Sequence, residues 1–301
     1  MDALLRAINE AETIRVVAAT TSEAVREACR RQQARGVAAV AIGRGLTAGV
    51  LLATLAKQDR ERIRIQFAGR GPAGHLMVDA HGDGRVRACL EHALAPDHPA
   101  LRPDLHAART RTAALIGGRG ELVVTRELGL EQGYQGVVAI ESGEIDEDLQ
   151  NYLDRSEQLP SALRCEVVLD GKGEVVRAAG VLAQSFPGSP PELIAEVRER
   201  LAPGELARLI EPHERALDEL VGFALGGEGF RRMLEYPIAF HCPCGPERAV
   251  RVLSSLGAAD LDALADEQEV TEVRCNFCGN VTRLGAAEVR EVAAQLRASQ
   301  S

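Results

Sequence analysis

The chain has 301 residues, 46% of them apolar and 26% charged, with a formal net charge of −9 and seven cysteines. That balance suits a globular protein with one sizeable core and a smaller module, and it argues against wholesale disorder. An acidic chain with 3% aromatic residues and no tryptophan lacks the basic surface and the stacking platforms that nucleic-acid binding needs, so no nucleic-acid partner is expected.

From the N-terminus, residues 1–15 carry Asp2, Arg6, Glu10 and Glu12 and lack the apolar core of a secretory leader, which points to the cytoplasm. Thiols are kept reduced there, so the cysteines are read as metal ligands or redox groups before structural disulfides. Residues 13–21 read as a strand, followed by helices over 22–33 and 37–56 with Gly36 as a stop between them. The second helix is long enough to span a membrane. Arg44 near its middle, and Gly43, Gly45 and Gly49, make it a buried Ala-rich helix instead, so no membrane partner is expected.

Ile63, Ile65 and Phe67 alternate with Arg62, Arg64 and Gln66, the period of a half-buried strand. Gly69-Arg70-Gly71-Pro72-Ala73-Gly74 has the form GxGxxG, yet residues 75–79 after it read as a strand where a dinucleotide fold needs a helix. It is read as a turn. Residues 75–79 and 85–89 flank Gly82-Asp83-Gly84 as a hairpin, with Asp79, His81 and Asp83 expected at its tip rather than on a metal. Strands over 121–126 and 136–140, a helix over 146–155, and a hairpin of 165–169 with 174–177 follow. Residues 1–185 are thus expected to form an α+β domain with a largely antiparallel sheet and packed helices. Cys29, Cys89 and Cys165 stand alone and are expected to be small buried hydrophobes.

The composition changes at Pro187-Gly188-Ser189-Pro190-Pro191. Ser189 and Glu192 match a capping box with Pro190 in the first turn, so a helix is expected to open there. Leu193, Ile194, Val197, Leu201, Leu206, Leu209, Ile210, Leu217, Leu220, Val221 and Phe223 give an amphipathic stripe, but Pro203-Gly204, Pro212 and Gly222, Gly226, Gly227 and Gly229 interrupt it. Many apolar anchors among many helix breakers mark residues 186–236 as a metastable helical linker.

The last segment, residues 237–301, carries Cys242-Pro243-Cys244 and Cys275-Asn276-Phe277-Cys278. Four thiolates complete a tetrahedral shell for one Zn²⁺ per chain, with Zn–S near ~2.3 Å. Gly245 and Gly279 each follow the second cysteine of a pair, where a positive φ is expected to bring backbone amides toward the sulfurs. Residues 246–256 read as a helix and 270–274 as a strand. So small a module needs its metal, which contributes about 10–16 kcal/mol in zinc-finger peptides. Four sulfur ligands leave no position open for water and no nucleophile triad is visible, so the chain is not expected to be an enzyme. A dithiol oxidoreductase using Cys275 and Cys278 lacks the helix N-terminus that would activate a thiol. Two readings stay open on spacing alone: a structural zinc ribbon that docks a partner, and a redox switch in which oxidation strips the thiolates from the metal and unfolds the module. A CxC pair is unusual in ribbons and favours the switch.

These pairs, together with Gly133-Tyr134-Gln135-Gly136-Val137-Val138, with Tyr152 through Arg155-Ser156-Glu157-Gln158-Leu159-Pro160, and with Gly69 to Gly74 followed by Asp83-Gly84-Arg85-Val86-Arg87, resemble the heat-shock protein 33 family. That family comprises redox-regulated, ATP-independent holdase chaperones of the bacterial cytosol, and the resemblance runs to about Leu284. It implies a reduced, zinc-bound, inactive monomer with the linker packed on the N-terminal domain. It further implies that oxidative and unfolding stress links Cys242 with Cys244 and Cys275 with Cys278, releases zinc, unfolds the linker, and yields a homodimer that holds unfolded client proteins. The chain departs from the common pattern at Pro243, Gly245 and the glycine-rich run 222–229, which bears on how stable its linker is.

Overall fold

Ile63, Ile65 and Phe67 point into a core while Arg62, Arg64 and Gln66 lie half-buried on the opposite face, as a two-residue period requires. The structure, a computed structural model, describes residues 1–55, 61–92, 98–101, 110–127, 133–156 and 159–300. Ala56, at the expected helix end, and Glu157 and Gln158, in the family motif, lie outside the described residues. The chain forms two compact units, Met1–His241 and Cys242–Ser301.

The first unit opens with β1 (Ala3–Asn9), β2 (Ile14–Thr20), α1 (Ser22–Gln32) and α2 (Val37–Ala53). β3 (Arg62–Gly69), β4 (His75–His81), β5 (Arg85–Leu90), the single turn α3 (Ala113–Ile116), β6 (Gly120–Glu127) and β7 (Tyr134–Ala139) follow. Next come α4 (Ile145–Ser156), β8 (Ser161–Leu169), β9 (Val175–Ser185), α5 (Pro191–Arg200), α6 (Glu205–Ile210) and α7 (Leu217–Leu225), and the unit closes with β10 (Phe230–Pro237) and β11 (Ala239–Phe240). Among the described residues one sheet runs β10-β1-β2-β9-β8, antiparallel throughout. A second runs β11-β5-β4-β3-β6-β7, antiparallel except for the β11–β5 pair. The expected α+β class with antiparallel sheets is what the chain adopts. The expected order of strand then helix at the start is corrected by β1, which precedes β2 and pairs with it.

α2 is the central layer. All 17 of its residues are buried, and its glycines are what let both sheets approach. A Cβ at Gly43 would stand 2.6 Å from Val167 of β8, and one at Gly49 would stand 2.7 Å from Val78 of β4, far inside van der Waals contact. Arg44 on this helix is fully buried, donating from Nη1 to Glu144 Oε2 at 3.3 Å and from Nη2 to Glu166 Oε2 at 2.7 Å. Removing one partner of a buried ion pair leaves the others charged and undischarged, at a cost of about 3–5 kcal/mol. Arg44→Met is therefore expected to lower the unfolding free energy of the first unit by that amount in denaturant titration, and a loss under about 1 kcal/mol would show that the two carboxylates do not depend on it.

The outer face of the first sheet carries the segment expected as a linker. Ile194, Val197, Leu206, Ile210, Leu220 and Val221 of α5–α7 form one cluster with Leu5, Ala7, Val16, Ala18, Val181 and Ala183 of the strands. The expected capping box at Ser189 does not form. Pro190 is the N-cap of α5 with no side-chain cap bond, and the Ser189 hydroxyl donates to the Thr13 carbonyl at 2.9 Å. That hydroxyl fastens the approach to the helix to the start of β2, and because the helix opens at Pro191, Ser189 stands one residue too early to cap it.

Asp79 also differs from expectation. It lies within β4 rather than at the hairpin tip, is almost fully buried, and accepts hydrogen bonds from Arg64 and Arg87 on the two neighbouring strands. Burial works to raise its pKa, but the two guanidiniums outweigh that and hold it below the ordinary 3.8. Cys29, Cys89 and Cys165 are buried as expected. Burial pushes the Cys29 thiol up to about 12 and that of Cys165 well above its ordinary range, so both are poor nucleophiles.

Candidate metal centre

The second unit consists of α8 (Pro246–Ser254), α9 (Ala258–Glu267), β12 (Val270–Arg274), β13 (Val281–Gly285) and α10 (Ala286–Gln300). Its core is made of small and medium side chains, among them Ala249, Leu253, Leu261, Leu284 and Val289. β12 and β13 pair antiparallel with Arg274 opposite Val281. The turn between them is the second cysteine loop.

Two backbone bonds shape that turn: Cys275 N–H donates to the Asn280 carbonyl at 2.9 Å, and Gly279 N–H to the Cys275 carbonyl at 2.8 Å. Gly279 has φ +69°, the left-handed conformation expected of it. Gly245 is a correction. Its φ of −176° is extended backbone, and it serves as the N-cap of α8. Pro246 follows it at the first helical position, and a residue before proline is driven to the extended region.

All four sulfurs, of Cys242, Cys244, Cys275 and Cys278, lie within 4.8 Å of one another. Cys242 Sγ is 3.6 Å from Cys275 Sγ, and Cys244 Sγ is 3.1 Å from Cys278 Sγ. A regular tetrahedron with arms of ~2.3 Å has edges of about 3.8 Å, so the spacing and the donor set fit a divalent ion of zinc's size. The close approaches run between the two loops, which a shared ion would cross-link. Among the described residues this is the one group of His, Cys, Asp or Glu so arranged, and the trio Asp79, His81 and Asp83 forms none.

Without a cation the thiols of Cys244, Cys275 and Cys278 do not ionise alike. Burial pushes Cys244 and Cys278 up, while the neighbouring thiols act in both directions. Burial also works to raise Cys275, but the backbone N–H groups of Cys278 and Phe277 donate to its sulfur, and its pKa falls below the ordinary value. Asn280 N–H donates likewise to Cys278. These backbone donors, from a loop closed by Gly279, stabilise charge on the two sulfurs they reach. The sequence named the four sulfurs; of the donors, only Gly279 hinted.

A family model described as Hsp33 protein matches residues 2–284. The chain belongs to the Hsp33 family. Among its Hsp33 relatives, the 33 kDa chaperonin of Synechococcus sp. (strain JA-3-3Ab) is 36% identical over 300 residues, covering 99% of this chain and 92% of that one. The 33 kDa chaperonin of Geobacter sulfurreducens is 35% identical over 293 residues, covering 96% and 95%. A crystal structure of the 33 kDa chaperonin from Thermotoga maritima superposes with a TM-score of 0.82 at 24% identity, covering 97% of this chain and 98% of that one, and shows the same fold. Membership of the Hsp33 family supports a chaperone function. No helix among the described residues is long and apolar enough to cross a membrane.

Proposed function

We propose that this chain is a redox-regulated, ATP-independent holdase, inactive while Cys242, Cys244, Cys275 and Cys278 hold one Zn²⁺. The observation that carries the reading is the meeting of four sulfurs at the separation of a zinc shell in a unit with a small core. Bound zinc would keep the four sulfurs as thiolates and tie the two cysteine loops together. When peroxide oxidises the site, each thiol pair gives up two electrons as one S–S bond forms, and one peroxide per pair is reduced to water. Cys242 joins Cys244 and Cys275 joins Cys278. The ligand set is then gone, and the unit loses the cross-link its core cannot replace.

On this reading the domains are a 1–185 core, a 186–236 linker and a 237–301 redox module, working in the cytoplasm. Melting of α5–α7 uncovers Leu5, Ala7, Val16 and Ala18 on the sheet as well as the helices' own apolar stripe. Such contiguous apolar surface suits capture of unfolded clients and pairing of two activated copies as a homodimer. The competing reading, a structural ribbon on an α+β domain, predicts that zinc is retained under mild oxidation.

The test compares reduced, zinc-loaded protein with the same protein treated with peroxide at raised temperature. Four thiols and one zinc are expected to be lost together, with aggregation of a chemically unfolded client then suppressed and the suppression reversed by a thiol reductant. Equal suppression in both states, or zinc that stays bound, would sink the proposal.

A further inference from the structure

The three linker helices have 10, 6 and 9 residues, below the about 12–15 residues at which an isolated helix becomes even marginal in water. None is capped by its own N-cap side chain, those residues being Pro190, Gly204 and Ala216. They exist as helices only while docked. The apolar stripe supplies adhesion but no register, because hydrophobic contact is non-directional. Register requires directional bonds, and the strands supply them at two helix ends.

Arg164 of β8 donates from Nε to the carbonyl of Leu201, the C-cap of α5, at 2.8 Å. Arg177 of β9 donates from Nη1 to the carbonyl of Glu211, the C-cap of α6, and from Nη2 to the next carbonyl, that of Pro212. Both guanidiniums stand on the sheet and both meet carbonyls that no helical N–H reaches. Their charge also has the favourable sign at the negative end of a helix. Arg198 of α5 returns the arrangement, donating from Nε to the Ser161 carbonyl at the start of β8 at 2.8 Å.

We propose that Arg164 and Arg177 are positioning residues that pin α5 and α6 to the sheet and set the point at which the linker lets go, independently of the thiols. The inference rests on the holdase reading in treating this segment as the one released. Each pin couples helix formation to docking: with the carbonyl end unbonded, the last turn frays, and the short helix has little left to hold it.

Arg164 also bonds the buried Asp146 at 3.0 Å, so its replacement disturbs the core, whereas Arg177 is the clean probe. In full-length, reduced, zinc-loaded protein, Arg177→Ala is expected to speed amide hydrogen exchange in residues 205–211 by about five- to tenfold, the net worth of one solvent-exposed hydrogen bond. Arg177→Lys, which keeps the charge but loses the fork, is expected to fall between wild type and alanine. Zinc content, thiol count and exchange in α2 are expected to stay as in wild type. Unchanged exchange over 205–211, or a rise matched in α2, overturns the pin. Neither client nor oxidant is present, so this measurement fails or succeeds separately from the chaperone test.

Discussion

Serine at Cys275 is expected to leave the purified protein without zinc and the Cys242–Ser301 unit without a stable fold. The remaining three sulfurs cannot close the tetrahedron, and the lost site is the larger part of what stabilises so small a core, about 10–16 kcal/mol in comparable peptides. Hydrogen exchange should show protection lost over α8–α10, with α2 in the first unit unaffected. Client holding is then expected at raised temperature without any oxidant. One zinc per chain in the purified variant, or wild-type protection over α8–α10, would show that the four sulfurs do not act together.

The second large effect is expected at β2, whose two faces serve different layers. Val16 is fully buried in the cluster that α5–α7 complete, with α7 against β2, and its neighbour Val17 is buried in the cluster built on α2. An unpaired carboxylate in either place costs several kcal/mol. At Val16 the chain can escape by shedding three short helices; at Val17 it has no such exit. Val16→Asp is therefore expected to give soluble, zinc-loaded, reduced protein that is cleaved by protease within residues 191–225 and holds an unfolded client without peroxide. Val17→Asp is expected to unfold the first unit altogether. If Val16→Asp remains protected and inactive, the helices are not the releasable layer.

Where side chains alternate or a turn is spelled out, the sequence was a good guide. β3, the β4–β5 and β8–β9 hairpins, α2 and the four cysteines follow from local pattern. What escaped was set by distance. Arg44 meets carboxylates 100 and 122 positions away, and no local rule joins them. β10 escaped because Phe-Arg-Arg-Met-Leu-Glu-Tyr-Pro has no alternating pattern; it is an edge strand, largely exposed, with a bulge opposite Arg6 and Ala7. β1 escaped because its partner on one side is β10. The Ser189 cap failed because the helix opens one residue later, with Pro190 at the N-cap, and Ser189 instead donates to the distant Thr13 carbonyl. Gly245 failed because proline's effect on the preceding residue overrode the analogy with Gly279.

The strands β1, β2, β9 and β8 separate two apolar clusters that share no buried side chain. The sheet thus acts as a bulkhead: flooding of the outer compartment stops at the backbone ladder, and the compartment built on α2 stays dry. If the linker is released as proposed, a molecule partitioned in this way keeps the sheet as a template for its return. Restoring the resting state then asks only that a short stretch of chain settle again on a surface already in its final form.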